Sequence, residues 1–379
     1  MTPLVVVSGA LANKPNNGGE AWVRLSWAIG LRRLGCRVLF VEQISPDHLT
    51  DSSLAYFRGV VERFGLAGAA ALVESGTRRT EGLAWGELLD APKSADLLLN
   101  ISGHLRHDEL FPRFRRTAYI DIDPGFTQFW HADGTLPVRP HDFYYTIGAN
   151  IGFADCAIPT GGISWRHVRQ PVVLDHWPVV STPAKAPLRF TTVASWRGPF
   201  GAVRFGDRTF GLKVHEFRKF IEVPRRGPPG CAFEVALDIH PADAKDFAML
   251  KENGWRVVNP TTVAATPEKF RDYVRASAAE FSVAQGIYVD TNCGWFSDRT
   301  TRYLASGRPA LVQDTGISRS IDCGEGLVPF RTLDEAVEGA RRIARDYDTQ
   351  SRAARSVVER YFDSDTVLRG LLDNVGLKV

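Results

Sequence analysis

Two rhythms of apolar and polar positions alternate along the chain. Short, solid apolar runs are separated by longer stretches whose apolar residues fall at helical spacing. Leu4 to Val7 is a solid run of the kind a buried parallel strand shows. A loop rich in Asn and Gly, Ser8 to Asn17, follows it. From about Gly19 to Leu34 the residues Trp22, Leu25, Ile29 and Leu34 lie near helical spacing, and Gly35 closes that helix. Val38 to Val41 is the next strand, so the opening predicts a parallel α/β unit. Further strands are expected at Asp96 to Asn100, Thr117 to Ile122 and Tyr144 to Ile147. Pro171, Pro178, Pro183 and Pro187 then cluster, and 171–189 reads as a linker. A second series starts at Phe190 to Ala194. It continues through Cys231 to Asp238, Gly254 to Val258, Gly286 to Val289 and Pro309 to Val312. The pattern predicts an α/β protein with one half over 1–170, a second over 190–355, and C-terminal helices over 356–379.

Bulk properties narrow the picture without naming a function. A length of 379 residues favours two domains. A hydrophobic content of 44% with 23% charged residues is that of a globular protein. No apolar run approaches the ~20 residues of a membrane span. The start, MTPLVVVSGALANKP, lacks a basic n-region and reads as a first core strand, so a cytoplasmic location is expected. A net charge of +3 gives a nucleic-acid role no support. Arg (37) far outnumbers Lys (9), which together with many Ala and Gly fits a GC-rich bacterial genome. The five cysteines are scattered, odd in number and without a CxxC pair, so neither disulfides nor a cysteine metal site is expected.

The most informative segment is Asn292 to Gly316, NCGWFSDRTTRYLASGRPALVQDTG. It reads as a loop after the apolar run Gly286 to Val289, then a helix, then the strand at Pro309 to Val312. Ser297 and Asp298 are good N-cap residues, and Gly307 to Pro309 end the helix. A helix start of this kind leaves backbone N–H groups able to take a phosphate or diphosphate. The segment resembles the nucleotide-sugar-binding signature of GT-B glycosyltransferases. Asn292-Cys293-Gly294-Trp295-Phe296-Ser297 is similar to the H-C-G-W-N-S start of the box in one inverting family. Tyr303 to Pro309, with Val312 and Asp314-Thr315-Gly316, resembles the E-A-x-A-x-G-x-P-V-V…D-x-G run of the large retaining family. Asn292 stands where the box has His. Arg302 and Gly294 stand where the retaining family has its two acids. The resemblance implies two Rossmann-like domains facing across a cleft, with the final helix crossing back to the N-terminal domain. It also implies a nucleotide-sugar donor and a small-molecule or glycan acceptor, natural products included.

The same resemblance distributes roles. Arg197 and Lys213 correspond to the pair that clamps the donor diphosphate. Asn292, Gly294, Ser297 and the helix start Asp298, Arg299 and Thr300 would complete the phosphate site, and 260–267 would read the nucleobase. Gly18 and Gly19 open the first helix where such enzymes often carry a Gly-Gly facing the donor sugar. Three residues are candidate acid–base groups: Glu20, His104 and Asp123, with Asp123 preferred because it follows an N-half strand. Asp121 and Asp123 also spell Asp-x-Asp, a metal motif of the other glycosyltransferase fold, but two α/β halves argue against that fold. No cofactor and no metal is expected. The first loop has no G-x-G-x-x-G, and the chain has no P-loop, H-E-x-x-H or G-x-S-x-G. Within the same fold the alternatives are a nucleotide-sugar epimerase and a catalytically inactive nucleotide-sugar-binding protein.

Overall fold

The computed structural model describes residues 2–180, 187–198 and 200–379. In the N-terminal half, β1 (Leu4–Ser8), β2 (Arg37–Ile44), β3 (Ala70–Glu74), β4 (Thr80–Gly82), β5 (Leu97–Ile101), β6 (Thr117–Asp121), β7 (Phe143–Thr146) and β8 (Arg166–His167) form one sheet. Its order is β4-β3-β2-β1-β5-β6-β7-β8. All neighbours are parallel except β3 and β4, which are antiparallel. In the C-terminal half the strands are β9 (Leu188–Ser195), β10 (Val203–Phe205), β11 (Arg208–Phe210), β12 (Cys231–Asp238), β13 (Arg256–Val258), β14 (Ala279–Ser282), β15 (Ala310–Gln313) and β16 (Leu327–Phe330). Six of these make a parallel sheet of order β13-β12-β9-β14-β15-β16, and β10–β11 is a separate antiparallel hairpin. Both sheets reverse direction of progress at one point, between β1 and β5 and between β9 and β14. Loops leaving the strand ends at such a switch point line a crevice.

Strands 4 or 5 residues long and buried on both faces, such as LVVVS and ALVQ, carry the solid apolar runs. One expected strand is not a strand. Gly286–Asp290 is a short helix, and the strand before it is Ala279–Ser282, AEFS. The Gly-Ile-Tyr-Val run is too short for its apolar content to tell the two apart. The true strand is masked by two polar residues, Glu280 and Ser282, that point at Arg299.

The halves are sewn together. The first helix, Gly18–Arg33, packs on the last helix, Ser364–Asn374, and on the helix Pro267–Ala276 of the other half. Trp22 donates from its indole to the Pro267 carbonyl at 2.8 Å, and its ring meets the buried Trp177 at 5.0 Å. Of the expected linker, 171–180 is firmly packed, with Val172 donating to Phe362 and Val180 to Ser306. Residues 181–186, including Pro183, lie outside the described residues. A single apolar cluster runs from β1 and the first helix into Phe270, Tyr303 and the C-terminal helices.

Candidate functional site

The crevice between the halves has two lobes. The first, about 940 Å³, lies between the ends of β9, β12 and β13 (Ser195, Asp238, Val258) and the loop before the first helix (Pro15, Asn16, Asn17). Asn259, Pro260, Thr261 and Ala264 line its far end, part of the stretch expected to meet a nucleobase. The second lobe, about 470 Å³, sinks into the N-terminal half past His104, Tyr119, Asp123 and Phe126. Lys14, Glu20, Val23, Lys213, Gln285, Asp298 and Arg299 line both, and so mark the seam where the lobes meet.

The C-terminal side of that seam is cationic. The helix Asp298–Ala305 begins there with Ser297 at its N-cap, so the first backbone N–H groups face the seam without partners inside the helix. Arg299 is fixed by three contacts: Nε to Glu280 Oε1 at 2.6 Å, one terminal nitrogen to the Val193 carbonyl at 2.8 Å, the other to Ser282 Oγ at 2.8 Å. Lys213 reaches in from the helix Lys213–Arg218 and donates to the Val283 carbonyl at 3.0 Å. Burial, helped by the neighbouring Arg299 charge, lowers its pKa to about 7. Lys14 faces them across the seam, from the loop after β1 in the N-terminal half.

The N-terminal side carries the candidate acid–base groups, and their surroundings set them apart. Asp123 is half-buried, and its pKa is pushed up to about 7, first by burial and then by repulsion from Glu20 and Asp121. Asp121, its Asp-x-Asp companion, is a structural anchor. It accepts from Thr127, Gln128, Thr146 and the Asp123 amide at 2.6–3.1 Å and so shapes the turn that presents Asp123. Glu20 is ion-paired with the buried Arg24. Burial alone would raise its pKa, but Arg24 and Lys14 together bring it below the usual carboxylate value. His104 is driven down to about 3 by burial and by the Arg24 and Lys14 charges, so it is neutral at ordinary pH. Its loop is pinned by Asn100, which bonds both the amide (2.9 Å) and the carbonyl (3.0 Å) of Leu105. Ser102 beside it is a non-glycine residue at φ 51, a strained conformation of the kind concentrated at binding sites.

Eight of the residues singled out in the sequence line the lobes: Gly19, Glu20, His104, Asp123, Lys213, Ser297, Asp298 and Arg299. Five do not. Arg197 is exposed and turned to Asp243, which takes Nε at 2.9 Å and also a terminal nitrogen, so a carboxylate already occupies its fork. Gly18 faces the other half, not a ligand: a Cβ there would sit 2.1 Å from the Thr266 carbonyl oxygen, and its amide donates to Ala264 at 2.8 Å. Asn292 adopts φ 51 and donates to the Asp155 carboxylate at 3.2 Å. Gly294, at φ 70, is pressed against Asn150 and donates its amide to Thr315 at 2.7 Å. Thr300 turns its hydroxyl into the buried interior. Asn292 and Gly294 at the tip of the signature thus form an interdomain joint, while Trp295 and the helix start reach the cleft. Arg302, in an acid's place, is fully buried and bonds the Trp22 carbonyl (3.1 Å) and Ser26 (2.9 Å) of the first helix.

Several contributors carried weak sequence signals. Glu42, fully buried in β2, accepts from the amides of Leu11, Ala12 and Asn13 at 2.7–2.8 Å and so holds the loop that bears Lys14. Its signal was a lone carboxylate in the apolar run VLFVEQI. The long segment after Arg197 contains the β10–β11 hairpin, which crosses to the N-terminal half. Phe210 stacks on Phe129 at 5.0 Å and Phe205 meets the same ring at 4.8 Å. Among the described residues, no three His, Cys, Asp or Glu side chains gather as metal ligands would. Nor is any helix there long and apolar enough to cross a membrane.

No protein-family model matches the chain. Among curated sequences, phosphoribosylamine–glycine ligases match it in part. That of Streptococcus pyogenes serotype M1 is 29% identical over 115 residues, 30% of this chain and 25% of the ligase, so the chain spans about a quarter of the length of the curated relatives it matches first. Solved structures match along nearly the whole chain. Anabaena HepE in complex with UDP-glucose superposes with a TM-score of 0.61 at 12% identity, covering 98% of this chain and 99% of that one. Sucrose-phosphate synthase from Thermosynechococcus elongatus gives 0.57 at 12% identity, covering 99% and 98%. A putative UDP-N-acetylglucosamine 2-epimerase from Listeria monocytogenes gives 0.51 at 12% identity, covering 99% and 96%. Two sheets that share a parallel core, each with one switch point, and the likeness of nearly the whole chain to these structures place it in the GT-B fold.

Proposed function

We propose that the protein transfers a sugar from a nucleotide-diphosphate donor, a UDP- or TDP-sugar, to the hydroxyl or amine of an acceptor. One observation carries this reading. The two lobes meet at a seam where Lys213 and a helix start come from one half and Lys14 from the other, and the second lobe that opens from it carries Asp123, a carboxylate of raised pKa. A diphosphate placed at the seam has Lys14, Lys213 and the helix start at Asp298 around its oxygens. The acceptor hydroxyl attacks C1 of the sugar, its proton passes to Asp123, and the bond from C1 to the diphosphate oxygen breaks. The charge that develops on the leaving diphosphate is met by groups already in place. We infer that these protein groups make a metal unnecessary. That UDP-glucose is the ligand bound to HepE supports the choice of donor.

The raised pKa favours Asp123 among the three candidate bases. A base is most effective when its pKa lies near the working pH. His104 at about 3 and Glu20 held low by Arg24 are poor acceptors of a proton, whereas Asp123 at about 7 is well matched. Asp123→Asn keeps the shape and removes the basicity. Transfer falls roughly 100- to 10,000-fold while UDP affinity stays near wild type, and the acid limb of the rate profile near pH 7 disappears. Calorimetry with UDP, TDP and GDP, with and without EDTA, followed by transfer assays on an acceptor panel, tests the whole reading. Strict dependence on a metal would refute metal independence. Tight nucleotide binding without turnover would point instead to a binding protein, and turnover without acceptor to an epimerase.

A further inference from the structure

The mouth of the second lobe differs in kind from its floor. Phe126 and Trp130, from the helix Phe126–Ala132, meet Phe200, which comes from the other half just before the β10–β11 hairpin. The three rings form a closed group, with centroids 5.4 Å apart for Phe126–Trp130, 5.1 Å for Phe126–Phe200 and 5.0 Å for Trp130–Phe200. Leu136 and Val138 extend the same rim. Leu136 and Phe200 are 41% and 37% exposed, which puts them among the few large apolar side chains left in water in the described residues. An apolar patch kept wet at the rim of a cavity marks a place where something apolar docks. Polar groups line the remainder of the lobe, among them Ser102, His104, Asp123, Arg106 and Thr127.

We propose that this lobe takes a flat, apolar hydroxyl compound, a phenol or fused-ring alcohol, rather than a sugar acceptor. The inference rests on the glycosyl-transfer reading above and names its acceptor class. A sugar ring carries hydroxyls around its whole edge and needs a polar partner for each when buried. The rim offers rings and aliphatic groups instead. A flat aromatic body stacks against or stands edge-on to such rings. Its single hydroxyl then points inward to Asp123, because Asp123 and Phe126 lie on the same turn. The phenol oxygen forms the new bond to C1, its proton goes to Asp123, and the nucleotide diphosphate leaves with the electrons of the broken C1–O bond.

The test compares 4-methylumbelliferone with methyl β-glucoside as acceptors, with UDP-glucose or TDP-glucose as donor, after calorimetry has shown which nucleotide binds. The expected result is a kcat/KM at least tenfold higher for the phenol. Phe200→Ala should raise the KM for the phenol about tenfold with less than a twofold change in kcat, and Phe200→Leu should restore most of the loss. Preference for the glucoside, or an equal effect of Phe200→Ala on both acceptors, overturns the acceptor assignment and leaves glycosyl transfer standing. Absence of nucleotide binding overturns both.

Discussion

Lys213 lies against the Val283 carbonyl in a half-buried position beside Arg299, and its pKa is lowered to about 7. An anion binds the protonated form, so binding must pull that pKa back up and take a proton from solution. UDP affinity should therefore fall as pH rises from 7 to 9. Lys213→Met should flatten that dependence and cost about 2 kcal/mol at pH 7, the scale of a charged hydrogen bond. Calorimetry in two buffers of different ionisation heat reads the proton uptake directly, and no uptake would remove Lys213 from the phosphate site. The sequence pointed to Asp123 because it follows a strand end, to Asp298 because it opens a helix, and to Lys213 through the family resemblance, and all three line the crevice. Arg197 follows a strand end equally well. Sequence spacing gives no sign that Asp243, on a different loop, reaches its guanidinium first. Asp123 was preferred among the three candidate bases from its place after a strand, but the electrostatic contrast among them was hidden, because it depends on burial and on Arg24, whose place beside Glu20 shows only once the helix is packed.

At the scale of elements, the start of the first helix is set by a contact rather than by a ligand. Gly18 sits where a methyl group would collide with the backbone at Thr266. Gly18→Ala should push the helix start away from 264–267, where Ala264 also lines the first lobe. Overpacking of this kind costs about 1–3 kcal/mol, and here it should weaken UDP binding as well as lower Tm. A lowered Tm with unchanged UDP affinity would show that the lobe does not depend on this joint. The Gly-Gly pair was visible in the sequence, but its partner lies nearly 250 positions away and no local pattern reports it. Parallel strands were readable from solid apolar runs. The strand AEFS was not, because its polar residues serve the buried Arg299, and the apolar run beside it became a helix.

For the whole molecule, the apolar cluster shared by the first helix, the Pro267–Ala276 helix and the C-terminal helices couples the halves. Heating should give one calorimetric transition whose measured and van't Hoff enthalpies agree, shifted upward as a unit by UDP. Two separable transitions would show the halves to be independent. The strand order of both sheets was anticipated only as two α/β series, since which strands become neighbours depends on crossovers that the apolar pattern does not encode. The hairpin crosses from one half to lie on Phe129 of the other. It hangs between Gly198 and Gly211, with no strand of either main sheet inside it. Such a cassette can lengthen, shorten or be exchanged without disturbing either sheet. Phe200, just before the hairpin, forms part of the rim over a cavity that otherwise belongs largely to the opposite half. Changes to this one short segment can therefore reshape the rim of that cavity without moving a strand of either main sheet.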